Sequence, residues 1–281
     1  MEAPSELHSK KVKLFIFGMI FLHIATEIKN FSTIMNNLFH GLALIYVGSV
    51  LTLDNYKVLN SKDKVEKNSD LLSWKQGLML PAVAAITLVA TYISVTSGSD
   101  ITGLIIRYFL IALSSLAMKT YMQGYFKETS FKIYMFDIAF GFTFLDLFCW
   151  VITLILAYGY NETIRNGSHG NWISNNIFAI CFSLAAIENW QVGRFDQMAV
   201  ILILFVVYDA YFVYGTTVMI DVAQGVSGPM KIMFPMTGTS SYSMLGLGDI
   251  IIPGLMCSLC IRLDFIRLFL KVKEEMGKST D

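Results

Sequence analysis

The chain has 281 residues, of which 55% are hydrophobic, and its 21 lysines and arginines balance 21 acidic residues. Its mean hydropathy is +0.58. The apolar residues form long unbroken runs instead of the periodic stripes of a soluble domain, so the composition excludes a soluble globular protein and favours a membrane protein. With no net charge and no basic patch, the sequence gives no indication of nucleic-acid binding.

Eight apolar runs of the kind that form membrane helices follow one another along the chain. They cover residues 14–28, 38–53, 77–97, 101–118, 135–158, 173–188, 198–220 and 243–261. The first two are shorter than the roughly 20 residues that a span requires. The first follows three lysines, as a signal sequence or signal anchor does, and the pattern does not decide whether it is cleaved. The sequence therefore predicts an all-α polytopic transmembrane helix bundle of seven or eight segments.

This segment order divides the chain and orients it. We expect a signal-anchor-like region over residues 1–37, a transmembrane core over 38–262 and a cytosolic tail over 263–281. Of the 21 basic residues, 17 then fall on one side of the membrane, which predicts two cytosolic termini if the first segment is retained. The loop that faces the lumen contains two N-glycosylation sequons, which begin at Asn161 and Asn166.

The cysteines and histidines do not form a recognisable metal-binding pattern. All four cysteines lie inside apolar runs, so a disulfide framework is not expected. Cys257 and Cys260 form a CxxC pair, but no second pair or histidine cluster completes a zinc site. We expect neither a metal nor another cofactor.

Two successive predicted segments each contain an aspartate. Asp209 lies near the middle of residues 198–220, and Asp249 lies within residues 243–261. A charged group at the centre of a bilayer costs roughly 2.5–3.5 kcal/mol on insertion scales. The two acids are therefore expected to face each other.

Paired carboxyl groups suggest a specific chemistry. Two carboxyls in close contact share one proton, because both cannot easily ionise together. The ionised carboxyl can act as a general base on a water molecule, and the neutral one can donate a hydrogen bond to the carbonyl under attack. The pair predicts hydrolysis of peptide bonds without a metal.

Residues beside Asp249 are expected to shape this site. Gly246 and Gly248 should loosen the helix ahead of the acid and allow another backbone to approach. Pro253 lacks a backbone donor and weakens the following turn. A water-filled cavity would satisfy the backbone groups that are freed.

Short motifs around both acids resemble those of intramembrane aspartyl proteases, the superfamily of presenilin and signal peptide peptidase. Tyr208 and Asp209 are similar to the YD motif, and residues 246–249 are similar to the GxGD motif. Further blocks resemble the signal peptide peptidases in particular, at residues 172–176, 212–219, 229–235 and 244–254.

The resemblance implies a presenilin-like fold and a function. It implies a catalytic pair, Asp209 and Asp249, in a site shaped by Tyr208, Gly246, Leu247, Gly248 and Pro253. It also implies an enzyme of the endoplasmic reticulum membrane that cleaves transmembrane peptides within the lipid bilayer, such as signal-peptide remnants and type II membrane proteins.

One part of the family pattern is missing from the sequence. The family continues with two further helices, the last of which carries a Pro-Ala-Leu motif beside the active site, and no such tripeptide occurs here. Three alternatives stay open: the sequence is truncated, a partner chain or second copy supplies the helices, or this form binds substrates without cleaving them. An ion-coupled transporter would also place acids at mid-membrane, but no inverted repeat supports it.

Overall fold

A computed structural model describes residues 33–60, 71–97, 100–128, 137–139, 142–165, 172–226, 228–236 and 242–278. The predicted segment 14–28 and Asn166 lie outside the described residues.

Helices form most of the described chain. They are α1 (Thr33–Asn60), α2 (Trp74–Thr96), α3 (Asp100–Glu128), α4 (Phe144–Arg165), α5 (Trp172–Asn189), α6 (Phe195–Asp209), α7 (Val218–Gly225) and α8 (Gly248–Lys278). A π-helical segment, Ala210–Tyr214, continues α6 directly.

Short strands pair between the helices. The strands are β1 (Leu71–Leu72), β2 (Asp137–Ala139), β3 (Phe142–Thr143), β4 (Gln191–Val192), β5 (Lys231–Pro235) and β6 (Tyr242–Gly246). The β1–β4 pair is parallel, and the β2–β3 and β5–β6 pairs are antiparallel.

The apolar character of the helices agrees with a membrane environment. Three stretches in the described chain are long and apolar enough to cross a bilayer: Trp74–Thr96, Leu147–Ile164 and Phe195–Tyr214. Large apolar side chains such as Ile86, Ile155 and Val206 are exposed, which suits contact with lipid. The prediction of an all-α polytopic membrane protein is confirmed.

Several predicted boundaries are wrong. Residues 135–158 include β2 and β3 before α4 begins at Phe144. The helical stretch predicted to end at residue 220 breaks at Gly215, and residues 242–246 form a strand. Helix α8 continues beyond the segment predicted to end at residue 261 and reaches Lys278, and the division into a core and a tail at residue 262 stays a prediction. An apolar run alone does not distinguish a strand from a helix, which explains these errors.

The described residues group into two compact units. One contains described residues up to Gly41, within Ser94–Ser183 and within Gln224–Leu247. Its core includes Ile111, Tyr160 and Phe178, all buried.

The second unit contains described residues within Leu42–Ile93, Leu184–Ala223 and from Gly248 onward. Its helices approach closely at Ile187 of α5. A Cβ atom at Gly48 would lie 2.9 Å from Ile187 Cδ1, and one at Gly254 would lie 2.4 Å from the same atom. Ser49 Oγ donates a hydrogen bond to the Gly254 carbonyl at 3.3 Å. Glycine at both positions therefore lets α1 and α8 pack tightly on α5.

Candidate active site

Asp209 and Asp249 lie on two helices that contact each other in the second unit. Asp209 is the last residue of α6, and Asp249 is the second residue of α8. The two helices contact each other, and both acids belong to the second unit. Both residues are exposed on the protein surface. The structure thus places the two acids on neighbouring helices, and their catalytic role stays a prediction.

The backbone changes its winding immediately after Asp209. The π-helical segment Ala210–Tyr214 begins at the next residue, and the Gly215 N–H donates to the Tyr211 carbonyl at 3.1 Å. Segments of π-helix are rare and occur frequently at functional sites, because the wider turn redirects nearby side chains. The sequence pattern did not indicate it.

Gly215 is required by the geometry where this segment ends. A Cβ atom there would lie 2.6 Å from the Tyr211 carbonyl oxygen, which is backbone and cannot rotate away. We expect Gly215→Ala to reduce the free energy of unfolding by about 1–3 kcal/mol, measured by thermal unfolding in detergent. The control is Gly159→Ala in α4, where an added Cβ meets no atom within 4 Å. Equal unfolding temperatures for the two variants would contradict the prediction.

Tyr208 is held among aromatic side chains beside Asp209. Its ring lies 6.0 Å from that of Phe205 and 4.8 Å from that of Phe212, measured between centroids. Phe212 is buried, whereas Tyr211 and Tyr214 are exposed. Tyr208 therefore forms part of an aromatic cluster on α6 and the π-helical segment.

The residues before Asp249 belong to the β5–β6 hairpin and to the short segment that connects it to α8. Gly246 ends β6 opposite Lys231, and the N–H of the buried Leu247 donates to the Met230 carbonyl at 3.2 Å. Gly248 is the first residue of α8. The expectation that Gly246 and Gly248 loosen a helix ahead of Asp249 is therefore wrong, since the helix begins only at Gly248.

Gly248 leaves space near Asp249, and Pro253 leaves the Asp249 carbonyl without its usual helical donor. A Cβ atom at Gly248 would meet no atom of the described structure within 4 Å. Pro253 lies inside α8, four residues after Asp249. Since proline has no N–H, it cannot donate the helical hydrogen bond to the Asp249 carbonyl. The surroundings of Asp249 can thus admit another backbone.

Two adjacent asparagines of α5 bind the outer edge of the hairpin within the first unit. Asn175 Nδ2 donates to the Lys231 carbonyl at 2.7 Å. Asn176 Nδ2 donates to the Met233 carbonyl, and Asn176 Oδ1 accepts from the Met233 N–H, both at 2.8 Å. The Tyr160 hydroxyl donates to Asn175 Oδ1 at 2.8 Å and fixes the orientation of that amide. These amides act towards β5 as a neighbouring strand would.

Sequence reasoning missed the structural role of this pair. Residues 172–176 were noticed only for their resemblance to a family motif. The available signal was two adjacent amides inside an apolar segment, since buried amides need hydrogen-bond partners.

The other features considered in the sequence are the glycosylation sequons, metal ligands and cysteines. Asn161 lies in α4, where its Nδ2 donates to the Tyr108 hydroxyl at 3.4 Å. Glycosylation at Asn161 and Asn166 stays a prediction. The described residues contain no group of three metal-ligating side chains. All four cysteines are free thiols.

Comparisons with known proteins give a consistent result. A family model described as signal peptide peptidase matches residues 62–273. Human signal peptide peptidase is 26% identical over 244 residues, which cover 78% of this chain and 62% of that protein. A probable intramembrane protease of Schizosaccharomyces pombe is 27% identical over 206 residues, which cover 73% of this chain and 63% of that protein.

A shorter match is closer in sequence. Intramembrane protease 2 of Caenorhabditis elegans is 38% identical over 102 residues, covering 34% of this chain and 22% of that protein. The chain spans about three fifths of the length of the human and S. pombe relatives. No solved structure matches. Because the family model covers most of its length, this chain belongs to the signal peptide peptidase family.

Proposed function

We propose that this chain carries the aspartic dyad of an intramembrane endopeptidase that hydrolyses peptide bonds within transmembrane segments. The observation that carries the proposal is the placement of Asp209 and Asp249 on two helices, α6 and α8, that contact each other. Signal-peptide remnants and type II membrane proteins are the substrate class that we assign.

In this mechanism the two carboxyl groups act as one unit that holds a single proton. The ionised carboxyl takes a proton from water as the water oxygen bonds to the carbonyl carbon of the substrate. The neutral carboxyl donates its proton towards the carbonyl oxygen, which yields a tetrahedral diol. The carbon–nitrogen bond then breaks as the nitrogen takes a proton from one carboxyl and a diol hydroxyl gives its proton to the other. The products are a carboxylic acid and an amine, and the pair again holds one proton. The proton belongs to the pair, so neither aspartate is assigned a fixed role.

A transmembrane substrate must expose its backbone before it can react. An α-helix encloses its amides in intrahelical hydrogen bonds, so the scissile segment has to be extended at the acids. The open side of Gly248 and the acceptor freed by Pro253 support entry of such a segment. Tyr208, which directly precedes Asp209, would then line the site.

The proposal extends to the cellular setting. We assign the protein to the endoplasmic reticulum membrane, with both termini in the cytosol if segment 14–28 is retained. Association with a second copy or with a partner chain is proposed as well.

The test uses the full chain purified in detergent and a synthetic peptide that contains a type II transmembrane segment. Mass spectrometry should detect two products cut within the apolar stretch, and in ¹⁸O-labelled water the new carboxyl group should gain one label. Cleavage should persist in the presence of a metal chelator. An intact peptide after prolonged incubation would refute the proposal. Ion uptake by proteoliposomes that is lost in Asp209→Asn would instead favour a transporter.

Gly248 offers a direct test of substrate entry. Gly248→Val adds a side chain to open space beside Asp249, so we expect kcat/KM to fall about tenfold or more while folding is unaffected. The measurement pairs cleavage kinetics with the unfolding temperature. Gly159→Val, also at an open glycine, is the matched control and should retain full activity. A Gly248→Val enzyme with unchanged kinetics would show that substrate does not use this space.

A further inference from the structure

Arg262 is a buried cation on α8 that binds the segment leading into α6. It is only 5% exposed. Its Nη1 donates to Gln191 Oε1 at 2.8 Å, and its Nη2 donates to the Val192 carbonyl oxygen. Gln191 and Val192 form β4, which ends just before α6 begins at Phe195. All of these residues belong to the second unit. One end of α6 is therefore tied to a fixed point along α8.

The distances along the two helices from this tie to the two acids are nearly equal. Helix α6 has 15 residues from Phe195 to Asp209, which corresponds to about 21 Å at 1.5 Å per residue. Asp249 precedes Arg262 by thirteen positions on α8, which corresponds to about 20 Å. Helix α6 begins just after β4, and α8 meets β4 at Arg262, so the two acids lie at about equal distances along their helices from a common anchor.

Strand β4, the segment that Arg262 binds, is also held by other contacts. Strand β4 pairs with β1, and the side chain of Gln197 is 2% exposed. Gln197 Nε2 donates to the carbonyls of Leu72 and Ser73 at 3.2 and 3.1 Å. Gly77 makes room for this amide, because a Cβ atom there would lie 2.6 Å from Gln197 Nε2. Arg262 thus binds strand β4, whose position is fixed by its pairing with β1 and by the hydrogen bonds of Gln197 on α6.

We infer that Arg262 is a positioning residue that sets the register of α8 against α6, and so the level at which Asp249 meets Asp209. The kinetic consequence of this role rests on the proposed peptidase function, whereas the geometric consequence does not. A shift of about 1 Å between reacting groups can reduce a rate a hundredfold, so a small slip of α8 would be sufficient to impair catalysis.

Arginine suits this role better than lysine. Its planar guanidinium directs separate N–H groups at two acceptors, whereas an ammonium group is a compact point charge. An arginine that only marked the membrane interface would extend its charge into water. Arg267 does this five positions later: its side chain is 80% exposed, and it lies 3.8 Å from Asp264.

The geometric test measures the separation of the two acids without activity. In a full-length chain whose four native cysteines are replaced by serine, D209C and D249C are combined and joined by a short bifunctional thiol reagent in membranes. We expect R262M to reduce the cross-linking yield several-fold and R262K to reduce it almost as much. R267M, on the exposed arginine of the same helix, should leave the yield unchanged.

The kinetic test uses the chain with both aspartates intact. R262M should lower kcat about tenfold or more and change KM by less than about twofold, because the substrate still binds while the acids are misaligned. Q191A removes the side-chain acceptor of Arg262 and gives a milder variant for the same measurements in case R262M does not fold. Its effect should not add to that of R262M, since R262M already removes the contact that Q191A breaks.

The two tests distinguish the positioning role of Arg262 from the proposed peptidase function. Unchanged cross-linking in R262M and in Q191A would overturn the role of Arg262, and so would equal losses in R262M and R267M. If the unaltered chain cleaves no peptide, the proposed function fails, and the cross-linking yield still decides whether Arg262 sets the register. A reduced yield together with a kcat-specific loss supports the inference.

Discussion

Replacing Asp249 with asparagine is expected to reduce peptide cleavage by about 10³-fold or more. Asparagine has nearly the same shape as aspartate, but it can neither accept the proton of the attacking water nor share one with Asp209. The same loss is expected for Asp209→Asn, because the two carboxyls act as one titrating unit. Initial rates of peptide cleavage, with protein quantified in each membrane preparation, provide the measurement.

The controls for this experiment lie on the same helix. Asp264 is also on α8, and its side chain is 77% exposed beside Arg267, so Asp264→Asn should retain the full rate. The double variant of Asp209 and Asp249 should be no slower than either single variant, since each already removes the shared proton. Cleavage by either single variant at more than about a tenth of the original rate would refute the dyad.

Replacing Asn176 with leucine should cause the largest loss of stability in the described hairpin. The change leaves the N–H and the carbonyl of Met233 without the partners they have at 2.8 Å. Each group that loses its partner in this part-buried contact costs about 1–3 kcal/mol, so the free energy of unfolding should fall by roughly 2–5 kcal/mol. Denaturant unfolding in mixed micelles measures this quantity, and hydrogen exchange over residues 228–236 and 242–247 should speed up in parallel.

Asn189 provides the matched comparison for Asn176. It is exposed on the same helix, and its Nδ2 donates to the Ala185 carbonyl of its own helix. Asn189→Leu should therefore change the free energy of unfolding by less than about 0.5 kcal/mol. If the two leucine variants were equally stable, the hydrogen bonds of Asn176 to the hairpin would not contribute to its stability.

The membrane class and the pair of acids follow directly from the sequence. Long apolar runs exclude a soluble core, and an acid within such a run needs a partner, so Asp209 and Asp249 were identifiable from composition and position alone. The contact between the two helices that carry them required the structure, because periodicity does not state how two helices meet.

The backbone around the acids was not predictable in the same way. Residues 242–246 lie in an apolar run that would also suit a helix, and the strand that they form depends on hydrogen bonds to β5. The π-helical segment after Asp209, which ends at Gly215, is defined by its backbone hydrogen bonds and leaves no periodic signal in the sequence. Arg262 was counted only as a cytosolic positive charge, since charge patterns do not reveal which cations are buried.

The contact of Gly48 and Gly254 with a single isoleucine has an evolutionary consequence. Ile187 occupies the space that side chains at the two glycines would need, so the sizes of residues 187 and 254 are inversely linked. A lineage could acquire alanine at position 254 only after, or together with, a shorter residue at position 187. Relatives with a side chain at position 254 should therefore carry a residue shorter than isoleucine at position 187, whereas relatives with glycine at 254 can carry either.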